Sequence, residues 1–147
     1  MRVWFRLARL HATIGAAITQ RLRAIGLSIP QFDALSTLTE EDGITQQILA
    51  ERLYVTKGNV SGLVNRLAEQ GLVKRSPIAG DKRSHALTLT AKGRALAESG
   101  MKIQRSYVMA TLGRMPAGER EMLGQLLVRL RDKVREEEAC ASATAIG

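Results

Sequence analysis

Cysteine is nearly absent from this chain: Cys140 stands alone among 147 residues. One cysteine excludes a disulfide within the chain and any multi-cysteine metal site. With only His11 and His85 besides, a structural zinc lacks its ligand set, and no metal or cofactor is expected. The low cysteine usage fits a reducing, cytoplasmic setting. No apolar run approaches the roughly 18 residues of a membrane span, and the partner expected is not a membrane. A nucleophile elbow, a phosphate loop and metal-ligand spacings are all missing, which argues against an enzyme. Acids are missing from one region only. None precedes Asp33, whereas the first 23 residues contain five arginines.

What is present is positive charge. The net charge of +8 asks for an anionic partner, a nucleic acid or an acidic membrane face. Apolar residues make up 45% and charged residues 24%, the balance of a folded chain rather than a disordered one. The length suits one domain. "MRVWFRLARLHATIGAAITQRLRAIGL" is Arg-rich and acid-poor, as an organellar targeting segment is. It also carries an apolar stripe at helical spacing: Val3, Leu7, Leu10, Ile14, Ile18, Leu22 and Ile25. That gives it a structural use. Gly26 then offers a stop.

Six helical segments and one hairpin are predicted. Ser28 ahead of Pro30 starts the second helix, and "EEDGI" breaks it. Thr45 caps "QQILAERL"; "YVT" is a tight turn whose Thr56 caps "KGNVSGLVNRLAEQ"; Gly71 ends that helix. "LVKRS" and "HALTLT" read as strands, Thr90 caps a helix to about Leu112, and Pro116 starts the last helix. Leu123, Leu126, Leu127, Leu130 and Val134 give that helix a second apolar stripe.

The order helix, tight turn, helix, glycine, strand, charged tip, strand is that of a winged helix-turn-helix. On the fourth helix Val60, Leu63, Val64 and Leu67 share one arc and must face a core. Thr56, Lys57, Gly58, Asn59, Ser61, Gly62, Asn65 and Arg66 occupy its start and the remaining arc. Two glycines on an exposed helical face each cost about 1 kcal/mol against alanine. A solvated face gains nothing from them. A helix pressed into a DNA groove gains closeness, and the polar side chains beside them hydrogen-bond base edges and phosphates. The hairpin adds Lys74, Arg75, Lys82 and Arg83 with Asp81 as its acid. An arginine at a projecting tip can enter the minor groove, where the negative potential is enhanced, with Asp81 holding its guanidinium.

"ILAERLYVTKGNVSGLVNRLAEQGLVKRSPIAGDKRSHALTLTAKGRAL" closely resembles the MarR family of bacterial transcriptional regulators. The resemblance spans about residues 27–100, and "GLVKR…DKRS…LTAKG" is its specific part. It implies a mainly α fold with a small β-wing, forming a homodimer whose first and last helices interlock. Two lobes would then read a pseudo-palindromic operator in double-stranded DNA. It makes residues 56–70 the recognition helix and Arg83 the wing arginine, oriented by Asp81. Pro116 departs from the Ser or Thr many relatives carry there, in the same capping region. One MarR-like domain over 1–147 follows, with dimerisation helices at 1–26 and 91–137, a lobe at 28–90 and a flexible tail at 138–147.

The two apolar end stripes independently ask for a partner, and an isologous contact is the commonest way to cover them. The resemblance also implies an effector, often a small aromatic or phenolic anion, between dimer helices and lobe. Trp4 and His11 share an edge of the first stripe and are candidates to line that site with Phe32. Cys140 follows "REEEA" in a small-residue tail, whereas the sensing cysteine of oxidant-responsive relatives lies near the N-terminus; it reads as incidental. The expected function is a repressor released by a small aromatic effector. The competing expectation is a constitutive or architectural basic DNA binder.

Overall fold

The computed structural model describes residues 1–78 and 81–144, without the side chains of 81–83 and 142–144. The chain forms α1 (Arg2–Arg23), α2 (Ile29–Glu40), β1 (Ile44–Thr45), α3 (Gln46–Leu53) and α4 (Lys57–Glu69). The wing strands β2 (Val73–Ile78) and β3 (Asp81–Leu89) follow, then α5 (Ala91–Ala110), a 3₁₀ turn at Leu112–Arg114 and α6 (Ala117–Thr144). The chain divides into two compact units, Met1–Tyr107 and Val108–Gly147.

Short polar side chains set the helix starts, as their positions in the sequence suggest. Ser28 and Gln31 form a reciprocal capping box at α2. Thr45 accepts from the Ile48 amide, and Thr56 from the Asn59 amide. Two helices end in the Schellman pattern, with glycine in the left-handed region. After α1, Gly26 (φ +77°) lets Leu27 N–H donate to Leu22 C=O at 3.0 Å. After α4, Gly71 (φ +69°) lets Leu72 N–H donate to Leu67 C=O at 2.9 Å. All four leucines are buried, so each stop also anchors the next segment in the core.

The first unit packs α2, α3, α4 and the sheet around Leu35, Leu38, Leu49, Val60, Leu67 and Leu87. A fully buried leucine contributes about 1.5–3 kcal/mol relative to an exposed one. Among the described residues no polar or charged residue is buried. The last turn of α1 joins this core through Leu22, while Val3, Trp4, Phe5, Leu10 and Ile14 stay exposed. Arg21 lies over the Tyr107 ring, 4.9 Å from its centroid. In the second unit, α6 leaves Met122, Leu126, Leu127, Leu130 and Val134 exposed.

Four expectations need correction. The sheet has three strands in the order β1-β3-β2, because Ile44 and Thr45 pair antiparallel with Leu87 and Ala86. Two residues between a broken helix and a cap give no alternation to detect. The wing strands run further toward the tip than "LVKRS" and "HALTLT". α5 ends at Ala110, with the 3₁₀ turn taking up Leu112. And α6 continues through Thr144, into the segment 138–147 expected to be a flexible tail, of which 145–147 lie outside the described residues. Glu138, Ala139, Ala141 and Ala143, good helix formers, take four of its seven added positions.

Candidate nucleic-acid interface

α3 and α4 are joined at Tyr54, whose backbone takes the left-handed region (φ 54°, ψ 40°). Tyr54 N–H donates to Glu51 C=O and Val55 N–H to Ala50 C=O, so the chain reverses within three residues. Glycine would take this conformation without the Cβ clash; tyrosine does not. Its ring is 85% exposed at the tip of the turn. In the sequence "YVT" reads only as a turn, and its signal is an aromatic where a small turn residue would serve.

α4 divides as its pattern requires. Val60, Leu63, Val64 and Leu67 are buried. Thr56, Lys57, Gly58, Asn59, Ser61, Asn65 and Arg66 are exposed, and Gly62 is half-buried. Among the described residues, neither arc glycine is needed for packing. A Cβ on Gly58 would meet nothing within 4 Å, and one on Gly62 only the Arg66 guanidinium at 3.8 Å. Both line a cleft of about 460 Å³ with Pro30, Asp33, Leu53 and Arg66. Burial raises the Asp33 carboxyl above its ordinary value.

In β2, side chains alternate between faces. Val73 is buried, so Arg75 shares its face, and Lys74 takes the other. Arg75 lies across from buried Leu87 and its guanidinium donates to the Asn65 side-chain oxygen of α4. Among the basic hairpin residues, Arg75 leans back onto α4 and Lys74 lies opposite Thr88. Further along, the register jumps from Pro77 opposite His85 to Ile78 opposite Asp81. Lys82, Arg83 and Ser84 are thus extra residues on the β3 side, a bulge near the tip. The side chains of Asp81, Lys82 and Arg83, the expected wing arginine among them, lie outside the described residues.

The wing is tied to the end of α4 by the "TAKG" segment. Thr90 Oγ1 donates to Gly71 C=O at 2.7 Å and accepts from the Gly93 amide at 2.9 Å. Lys92 Nζ donates to Gln70 C=O at 2.9 Å, a cation at the helix's negative end. On the other side, Asp42 accepts from the Leu89 amide and from Arg94, both at 3.0 Å.

The expected effector residues separate. Trp4 and His11 line one cleft of about 420 Å³ on α1, with Leu7 and Ala8. Phe32 does not join them. It is 2% exposed, in the core. There its ring lies where a Cβ on Gly100 would be, 2.5 Å from that position. Among the described residues no group of three or more His, Cys, Asp or Glu is disposed to hold a metal. Among them, too, no helix is long and apolar enough to cross a membrane.

This architecture and sequence have known counterparts. The profile of the MarR family matches residues 25–84. The transcriptional regulator HosA of Escherichia coli O157:H7 is 32% identical over 104 residues, 71% of this chain and 77% of that protein. The HTH-type transcriptional repressor Rv2887 of Mycobacterium tuberculosis is 29% identical over 126 residues, covering 86% and 91% of the two chains. Among solved structures, Staphylococcus aureus MepR in a MepR–DNA complex superposes with a TM-score of 0.81. It is 23% identical, over 88% of this chain and 96% of that one. With winged helix-turn-helix geometry and these relatives together, the chain belongs to the MarR family of transcriptional regulators.

Proposed function

We propose that this protein is a homodimeric repressor that reads a pseudo-palindromic operator in double-stranded DNA and is released by a small aromatic effector. The observation that carries DNA reading is the arc of α4 away from the core, where among the described residues a Cβ on Gly58 would meet nothing within 4 Å and one on Gly62 only the Arg66 guanidinium. Each glycine costs about 1 kcal/mol of helix stability. Close backbone approach to a groove about 12 Å wide gives that cost a use. Lys57, Asn59, Ser61, Asn65 and Arg66 supply donors along the same arc. Lys74 and Arg83 add charge for the flanking phosphates and minor groove, with Asp81 orienting the arginine. MepR was solved on DNA, and Rv2887 is named a repressor.

Dimerisation is supported by the apolar side chains left exposed on α1 and, separately, on α6. A second copy is the partner a two-fold contact would supply, and it sets two recognition helices about 34 Å apart, one DNA turn. The effector is assigned to the Trp4–His11 cleft, where an indole and an imidazole offer a stacking face and a hydrogen-bonding edge. Such a regulator acts in the cytoplasm, beside the chromosome.

The test is a titration of a selected duplex at rising salt. Log affinity is expected to fall linearly with log salt, at a slope of about −0.9 per neutralised phosphate. A flat response would contradict DNA binding through this face. Adding aromatic carboxylates to the same complex is expected to release the duplex from the wild type but not from Trp4→Ala.

A further inference from the structure

We propose that Arg75 is a positioning residue for base recognition: it fixes which way round the Asn65 amide faces the DNA. The inference rests on the DNA-reading function proposed above. A guanidinium carries N–H donors only and no acceptor. The amide atom turned toward Arg75 is therefore the oxygen, and the Asn65 Oδ1 is indeed its acceptor. The Nδ2 hydrogens are left for the partner. Both side chains are exposed, so the pair stands on the surface that meets the duplex. The strand places it there: Arg75 shares the face of buried Val73, and its guanidinium reaches Asn65 of α4.

The consequence is chemical. An unconstrained asparagine reads adenine with both ends of its amide, accepting from N6 and donating to N7. Held with its oxygen toward Arg75, the Asn65 amide turns its two Nδ2 donors outward instead. Guanine presents two acceptors side by side in the major groove, N7 and O6, and adenine only one. Arg75 thus biases Asn65 toward guanine, acting on sequence preference and not on charge alone.

The experiment selects bound duplexes from a random pool with wild type, Asn65→Ala, Arg75→Gln and Arg75→Lys. The Asn65→Ala selection identifies the operator position that depends on Asn65. At that position wild type and Arg75→Lys, whose head group is also donor-only, are expected to prefer guanine. Arg75→Gln, which can accept as well as donate, is expected to lose that preference by about tenfold and to gain adenine. If Arg75→Gln weakens all duplexes alike and leaves that position unchanged, Arg75 is a phosphate contact and the inference is overturned. If wild type enriches no sequence at all, the DNA-reading function itself fails and the inference with it.

Discussion

The backbone of Gly93 runs so close to Leu72 that a Cβ there would lie 2.0 Å from the Leu72 carbonyl oxygen. That oxygen also accepts from the Thr90 amide at 3.0 Å. The first turn of α5 and Leu72, the third residue past α4, are thereby held in one backbone contact, which fixes where the wing leaves the recognition helix.

Gly93→Ala is expected to destabilise the fold by about 1–3 kcal/mol, the range for overpacking, because the obstructing atom is backbone. Thr90→Ala is expected to cost about 1 kcal/mol through the lost cap. Urea unfolding monitored by circular dichroism measures both. Equal midpoints for Gly93→Ala and wild type would show that this contact is not close.

Gly58→Ala and Gly62→Ala are expected to act in the opposite sense on stability. Each should raise it by up to about 1 kcal/mol, since the methyl meets open space or ordinary contact. Each should also weaken operator binding. Unfolding and duplex titration on the same preparations separate the two effects. A stabilised variant with undiminished affinity would leave the glycines without a function in binding.

Asp33 supplies a pH dependence. Its carboxyl is raised by partial burial in the cleft, so the folded state holds the proton more tightly than the unfolded chain does. Its contribution to stability therefore falls as pH rises from the ordinary aspartate value through the folded one. It stays unfavourable at neutral pH. Asp33→Asn is expected to stabilise the protein at pH 7, with the advantage shrinking in acid below that window. Thermal melts across pH measure it, and a difference between the two proteins that grows toward low pH would contradict the cause.

Arg83→Ala is expected to weaken operator binding by about 1–3 kcal/mol, as the loss of a groove contact does. Asp81→Ala should reproduce part of that loss, through an arginine no longer held in place. Titration of one selected duplex with each variant measures both, and unchanged affinity for Arg83→Ala would remove the wing from the interface.

Much of this was legible because the controlling chemistry is local. A serine or threonine before an apolar-periodic run, and a glycine after it, set the boundaries at Ser28, Thr45, Thr56, Gly26 and Gly71. The buried arc of α4 follows from spacing alone. What escaped depends on distant partners. Phe32 resembles a binding-site aromatic until Gly100 is brought beneath its ring. β1 exists only because β3 offers it an edge. Arg75 counts as one more basic wing residue until the sheet turns it toward Asn65.

The central claim is that two copies present α4 to successive major grooves on one side of a duplex. Protection of guanine N7 from methylation, mapped along a selected operator, tests it most directly. Two protected windows are expected, with centres about 10–10.5 base pairs apart, each lost in Gly62→Ala. A single window, or protection that Gly62→Ala leaves intact, would contradict it.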